Sequence, residues 1–366
     1  MKLKHLSAKK LEIPFKVNFK HALANRFKTE SILVSAKSST ENIGYGEGCP
    51  RSYVTNESVD TALNFIRDYK NQILGISTLQ DLKSFIERNK DIIDINPAAW
   101  CAVELALLDL LGKESQQSVE KLLQLPKLRS EFKYTAIIGD WEVNTTKLFF
   151  EKFLSMGFKD FKLKLSGDLN QDLSKIKLLR QVKRGDITIR VDANKLWGNS
   201  EQAFSYLNNL EYQFFSVEEP LGKFSYRALI ELSEKLGTKI ILDESFRKIE
   251  DLAKLQNSID NFILNIRISK MGGILRSLDI AKKAAEKGFD LILGAQVGET
   301  SILSRAALTI ASNYYKNVIA QEGAFGDFLL DKDICIPSIK FGGDGILKVS
   351  EYIDSNSYGL GLNIVR

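Results

Sequence analysis

Eight short apolar segments, each closing on polar or charged residues, dominate the chain from about residue 130 onward. They read "YTAIIG", "FKLKL", "ITIRVD", "FFSVEE", "KIILDE", "FILNIR", "DLILGA" and "NVIAQE". Amphipathic stretches separate them, at a repeat of roughly 25 to 28 residues over most of the run. Parallel strands need long crossovers, usually helices, so this alternation predicts an α/β fold. Eight such units predict a (β/α)8-type TIM barrel more readily than an open sheet. A doubly wound sheet would want a Gly-rich phosphate turn after its first strand, and "IIGDWEVN" is not one.

The C-terminal ends of parallel barrel strands share one mouth. Read in order, those ends carry Lys162 and Lys164, then Asp192, then Glu218 with Glu219, then Asp243 with Glu244, then Arg267 and Lys270. In "FKLKLSGD", Phe161, Leu163 and Leu165 alternate with the lysines, so one strand face is apolar and the other points two ammonium groups inward. The same alternation turns Asp192 and Glu218 inward, past Val191 and Val217. Any one of these acids alone reads as a helix cap or a solvated loop residue. Three consecutive strands ending in carboxylates, flanked by cations, point instead to a hard divalent cation, Mg²⁺ before Mn²⁺. Histidine ligands are excluded, because His5 and His21 both precede the barrel. The plain alternative for the lysine pair is an edge strand whose ammonium groups snorkel to water.

The first 110 residues or so have another texture. "SILVSAKSS" and "IGYGEG" read as strands of a hairpin or meander with a Gly-containing turn, followed by helices in "ESVDTALNFIRDYKNQI" and "AAWCAVELALLDLLGKE". The Gly-rich end, "IKFGGDGILKVSEYIDSNSYGLGLNI", is strand-like again and is expected to return to the N-terminal part. The expected division is an α+β capping domain over 1–125, the barrel over 126–325, and a C-terminal segment over 326–366 that rejoins the cap. The net charge of +5 is spread along the chain with no basic cluster interleaved with aromatics, which argues against nucleic acid. Three distant cysteines (Cys49, Cys101, Cys335) and no apolar run of 18 residues predict a cytoplasmic protein without disulfides or a membrane partner.

With "KLK", "VDAN", "VEEP" and "LDES" in place, nearly the whole chain resembles the enolase superfamily, in particular the muconate-lactonising subgroup that includes dipeptide epimerases. The resemblance implies an enolase-like modified barrel with a capping domain from both termini. It implies one Mg²⁺ per subunit on Asp192, Glu218 and Asp243, with Lys164 as the base; a Lys or His base with Mg²⁺ is the general pattern of the superfamily. The reaction implied is 1,1-proton transfer at the α-carbon of an L,L-dipeptide, Ala-Glu being the typical substrate. Removing a proton next to a carboxylate builds extra negative charge, which a metal stabilises. A lysine at its solution pKa of about 10.4 is protonated at neutral pH, so the neighbouring Lys162 is expected to lower the pKa of Lys164 and to touch the substrate carboxylate.

Two departures qualify this. Relatives place a second lysine after "N-I" on the sixth strand, where this chain has Arg267, a poor base. Lys270 is therefore expected to serve the second face, with Arg267 as an electrostatic partner. Relatives also carry Asp-x-Asp at the eighth strand to grip the substrate ammonium; here Glu322 stands near the first position and Ala324 near the second, with Asp327 as a substitute. The arginine of the capping loop that, by the resemblance, meets the side-chain carboxylate of a glutamate substrate is shifted here to Arg26, with Ala24 at the usual place. Thr135, Gly294 and Gln296 complete the expected substrate contacts. The alternatives are another reaction of the subgroup (o-succinylbenzoate formation, N-acylamino acid racemisation or cycloisomerisation) and a non-catalytic barrel that only binds. The partner expected is a small molecule, and a homo-oligomer stays open.

Overall fold

The eight apolar segments all form strands, and their crossovers are helical. The computed structural model describes every residue except 22–23, 182–185, 223, 256, 355 and 366, with the backbone alone of 17–21 and 24–25. The N-terminal part builds β1 (Leu3–Leu11), β2 (Pro14–His21), β3 (Ala24–Lys28), β4 (Ser31–Ser38) and β5 (Ile43–Gly48). β1, β4 and β5 form an antiparallel sheet, and β2 pairs with β3 as a hairpin. The helices Val59–Asp68 and Leu79–Arg88 each begin at a capping box, Ser58 with Thr61 and Thr78 with Asp81, which satisfies N–H groups that a helix start otherwise leaves open.

The glycines of "IGYGEG" lie in β5 and not in a turn. The turn before it is carried by Glu41 at φ 69°. A Cβ at Gly44, Gly46 or Gly48 would stand 2.1, 2.1 or 2.0 Å from the carbonyl oxygens of Ala106, Ala102 and Ala98. Those oxygens belong to successive turns of the buried helix Pro97–Glu114, so the glycine stripe is what lets the helix ride directly on the sheet.

After β6 (Glu131–Lys133) come the barrel strands β7 (Ala136–Ile138), β8 (Asp160–Lys164), β9 (Thr188–Asp192), β10 (Ser216–Glu218), β11 (Lys239–Leu242), β12 (Phe262–Ile266), β13 (Asp290–Leu293) and β14 (Val318–Gln321). They pair in sequence order, all parallel, and the Thr135 N–H donates to the Gln321 carbonyl at 2.8 Å, joining the last strand to the first. Strand parity fills the interior in two unlike halves. On β11–β14, Ile241, Ile263, Ile292 and Ala320 form an apolar plug. On β8–β10 the inward positions are Lys162, Lys164, Arg190, Asp192 and Glu218, all buried.

The C-terminal tail makes two attachments. β15 (Ile346–Lys348) pairs with β6, while the Leu360 N–H donates to Asp109 of the helix Pro97–Glu114 at 2.8 Å. The cap is pinned to the mouth from β5: the Glu47 carboxylate accepts the Thr300 N–H at 3.0 Å and its hydroxyl at 2.6 Å, at the start of the helix Ser301–Asn313. The Cys49 N–H next to it donates to the Ser269 hydroxyl at 2.8 Å. Among the described residues no helix is long and apolar enough to cross a membrane.

Gly46→Ala forces its new methyl onto the helix backbone, and the unfolding free energy is expected to fall by about 3 kcal/mol, the upper end of the overpacking range. Urea unfolding measures it; an unchanged midpoint would mean the helix is free to lift off the sheet.

Candidate active site

Parallel register brings the inward side chains of β8, β9 and β10 to one level. Lys164 pairs with Asp192 and Asp192 with Glu218 as neighbours across the strands, while Asp243 stands two residues beyond Ile241, the next position in that row. Each carboxylate is turned to a cation. Lys164 Nζ lies 3.1 Å from Asp192 Oδ2 and 2.9 Å from Asn194 Oδ1. Lys162 Nζ lies 3.1 Å from Glu218 Oε2, and Lys270 Nζ 2.9 Å from Asp243 Oδ1. Arg267 donates to Asp243 and stands 3.7 Å from Glu218.

These pairs set the titration of the acids. Burial works against the charged form of Asp192 and Asp243, but Lys164 and Lys162 in one case, and Arg267 and Lys270 in the other, hold both below the usual carboxylate range. Glu218 goes the other way. Burial, with Asp192, Glu322 and Asp243 close by, outweighs Lys162 and pushes it up to about 8.

The second acids of "VEEP" and "LDES" differ in kind. Glu219, at φ 40°, accepts the N–H groups of Asp243 at 2.7 Å and Ser245 at 2.8 Å and the Ser245 hydroxyl at 2.7 Å, so it ties β10 to β11 and is spent on structure. Glu244 is buried beside Asp243, and burial pushes it up to about 8. The inward set Asp192, Glu218 and Asp243 has the chemistry of a hard-cation site: three single carboxylates from adjacent strands. A further oxygen, Asn265 Oδ1, is buried without a partner on the amide whose Nδ2 is 3.3 Å from Glu218. Among the described residues the three carboxylates do not converge on one point, because each is drawn to its own cation; a bound metal ion would have to take their place.

Several expected residues are placed elsewhere. Lys270, expected at the second face, lies behind Asp243, where it donates to Asp243 Oδ1 at 2.9 Å, the Asp243 carbonyl at 2.7 Å and the Asn265 carbonyl at 2.8 Å, and burial holds its pKa below the usual lysine value. Lys162 sits one layer below Lys164, committed to Glu218 and, at 2.6 Å, to Glu322, so it is removed from the substrate carboxylate. Burial lowers the pKa of Lys162, yet Glu218, Glu322 and Asp192 more than restore it, leaving it raised. Glu322 is not free to grip an ammonium either, since its other oxygen takes Arg190 Nη1 at 3.1 Å. Thr135 lies at the N-terminal end of β7, where its hydroxyl pairs with Asp160 and accepts Arg190 Nη2 at 2.7 Å, at the far end of the barrel from the mouth. Asp327 is half exposed and paired with Lys340 at 2.8 Å. Arg26, on β3, is ion-paired to Glu30 just beyond the strand and lies over the Tyr53 ring; the side chain of Ala24 is outside the described residues.

The structure does bring together Lys164, Asp192, Glu218, Asp243, Arg267, Gly294 and Gln296. Arg267 Nη1 donates to Gln296 Oε1 at 3.2 Å, and a Cβ on Gly294 would stand 2.3 Å from Asn265 Oδ1, so only glycine leaves room for that amide. Arg190 and Asn265 were not foreseen, although the period that picked out Lys162 and Asp192 also picks out "R-x-D" and "N-x-R".

A mouth that gathers a lysine and three strand-end carboxylates under an α+β cap defines a barrel enzyme of proton-transfer type. Residues 147–365 match the family described as enolase C-terminal domain-like, and the chain belongs to that family. It is 27% identical to a hydrophobic dipeptide epimerase of Enterococcus faecalis, over 85% of this chain and 87% of that one. It is 24% identical to an L-Ala-D/L-Glu epimerase of Clostridium acetobutylicum, over 93% and 94%. Among solved structures it is similar to a dipeptide epimerase from Enterococcus faecalis complexed with Mg and the dipeptide L-Leu-L-Tyr, with TM-score 0.83 and 25% identity, covering 99% of this chain and all of that one.

Lys270→Met removes one partner of a buried pair, and the unfolding free energy is expected to fall by about 3–5 kcal/mol in a urea titration. A variant as stable as the parent would take Lys270 out of the supporting role.

Proposed function

We propose that the chain is a divalent-metal-dependent epimerase of dipeptides, moving a proton off and onto the α-carbon beside the terminal carboxylate. One observation carries this reading. Of the three lysines at the mouth, Lys164 alone keeps part of its side chain open, 10% against 3% for Lys162 and none for Lys270, and it does so next to the carboxylate row. The relatives named as dipeptide epimerases support it. The cation we assign is one Mg²⁺, with Mn²⁺ as a substitute, held by Asp192, Glu218 and Asp243. When bound it would offset the negative charge that grows on the substrate carboxylate. The separate, buried free thiols of Cys49, Cys101 and Cys335 fit a reducing cytoplasm.

The chain's own groups divide the work. Lys164, in its neutral form, takes the α-proton from one face, and Asn194 Oδ1, 2.9 Å from its Nζ, fixes its position once Asp192 turns to the cation. Arg267 Nε and Gln296 Nε2 are both buried without a partner, and they are the donors we assign to the substrate carboxylate. The other face is bounded by Arg267. Burial opposes its charge, but Asp243, Glu244 and Glu218 raise its pKa further above the arginine value, so it stabilises an enolate and exchanges no proton, and the proton that completes inversion on that face comes from solvent water. Exchange with retention should therefore outrun inversion. That same arginine favours a second reading, a one-base elimination or cycloisomerisation.

In D₂O, Lys164→Ala is expected to lose α-proton exchange by 10²–10⁴-fold, the usual worth of a general base. Arg267→Lys is expected to raise inversion relative to exchange by about ten-fold or more, by restoring a base to the second face. Exchange undiminished in Lys164→Ala would overturn the assignment, and exchange with no inversion in either protein would favour the one-base reading.

A further inference from the structure

The mouth beyond β14 is built for grease. Glu322 is drawn inward by Lys162 and Arg190, and the wall that follows is apolar. Ala324, Phe325 and Phe328, with Trp141, Phe149 and Phe341, line a cavity of about 460 Å³. Phe328 is 47% exposed, with the Phe341 ring 5.3 Å away and the Lys340 ammonium 5.2 Å from its ring centre. The cavity shares one wall with the reacting groups: Gln296 lines it and accepts the Arg267 guanidinium at 3.2 Å, while Ile137, the β7 neighbour of Lys162, lines it lower in the barrel.

Position decides which end of a substrate reaches it. The carboxylate row lies on β9–β11 and Lys164 on β8, while the cavity lies between β7, β13 and β14, across the mouth. A substrate whose reacting carboxylate meets the row extends its other end over the barrel axis at about 3.3–3.6 Å per residue. Charge decides what that end carries. The acid on the cavity wall, Glu299, is pinned to the Gln296 N–H at 2.6 Å, and burial pushes it up to about 8, so it offers no fixed anion at neutral pH, while the lining cation Lys152 is exposed to water with its ammonium 6.0 Å from the Phe149 ring.

We propose that this cavity is a specificity site for a bulky uncharged apolar group at the end of the substrate remote from the reacting carboxylate: an aromatic or branched aliphatic first residue, or the equivalent acyl chain, bound without an ion pair to its nitrogen. The inference rests on the proposed α-proton chemistry. It departs from an Ala-Glu substrate at both ends, since Arg26 is held by Glu30 and Glu322 by two cations.

The test is a series sharing one C-terminal residue, with Gly, Ala, Leu, Phe, Asp or Lys first, alongside the 4-methylpentanoyl and 3-phenylpropanoyl compounds, which are Leu and Phe without the ammonium. α-Deuterium incorporation with Mg²⁺ gives kcat/KM. It is expected to rise about ten- to hundred-fold from Ala to Leu or Phe, with Asp and Lys below Ala. Removing the ammonium is expected to cost no more than about three-fold, since no charge-assisted bond is lost. Ala324 has φ 50°, which aspartate tolerates, and Ala324→Asp is expected to favour the free amine over its acyl twin by about ten-fold. A flat response to size, or a ten-fold preference for the free amine in the parent protein, would overturn the proposal. Binding is read separately from Trp141 fluorescence, with Trp141→Phe as the control. If no compound exchanges, the reaction reading fails, while saturable quenching by the 3-phenylpropanoyl compound and not by an acetyl compound with the same C-terminal residue, added as the small control, still supports the cavity. Equal quenching by both removes it.

Discussion

Everything at the mouth depends on how buried charge is balanced inside half of a barrel. Moving an ion from water into a protein costs several kcal/mol even after relaxation, so inward charges persist only when they are paired. Here the pairing follows from geometry already present in the strands. Side chains alternate with period two, and parallel register sets equivalent positions side by side, so lysine, aspartate and glutamate on β8, β9 and β10 meet at one level. The chain Asp160–Arg190–Glu322–Lys162–Glu218 then runs through the interior, each link an ion pair. It fills the volume that branched apolar side chains fill on β11–β14. Its effect is to hold Lys162 down, and so to leave Lys164 as the lysine at the rim.

The cap completes this arrangement from above. Its long helix needs the glycine face of β5 to approach the sheet, and the end of the same strand carries Glu47 to Thr300 and Cys49 to Ser269. One short segment thus sets both the packing of the cap and its grip on two loops of the mouth. Charged chemistry is concentrated on β8–β12, and an aromatic cavity occupies the side where β7, β13 and β14 end. A ligand with a carboxylate at one end and an apolar group at the other matches both halves.

The barrel was legible in the sequence because its signals are local. A period of two over five residues identifies each strand and tells which residues of "FKLKL" and "TIRVD" point inward. The same rule separated Glu218 from Glu219. What local pattern does not carry is height along the axis and the choice of partner. Thr135 has inward parity, yet it belongs to the bottom of the barrel, since β7 pairs Ala136, one residue on, with Phe161 at the start of β8. Lys270 ends a strand in the sequence, but the short helix Ile268–Met271 carries it behind Asp243. Glu322 reads as a rim acid until Arg190, three strands away in the pairing order, is known to be waiting for it. The glycines of "IGYGEG" read as part of a turn, and it takes the helix packed on β5 to show that they mark a close approach.

The central claim is that the row Asp192, Glu218 and Asp243 exchanges its ammonium and guanidinium partners for one divalent cation. Anomalous diffraction from crystals grown with Mn²⁺ tests it most directly. A single strong peak is expected at the mouth, within coordination distance of one oxygen from each of the three carboxylates, with Arg267 swung off Asp243. A mouth with no peak, or a peak held by Glu219 or Glu244 in place of that row, would contradict it.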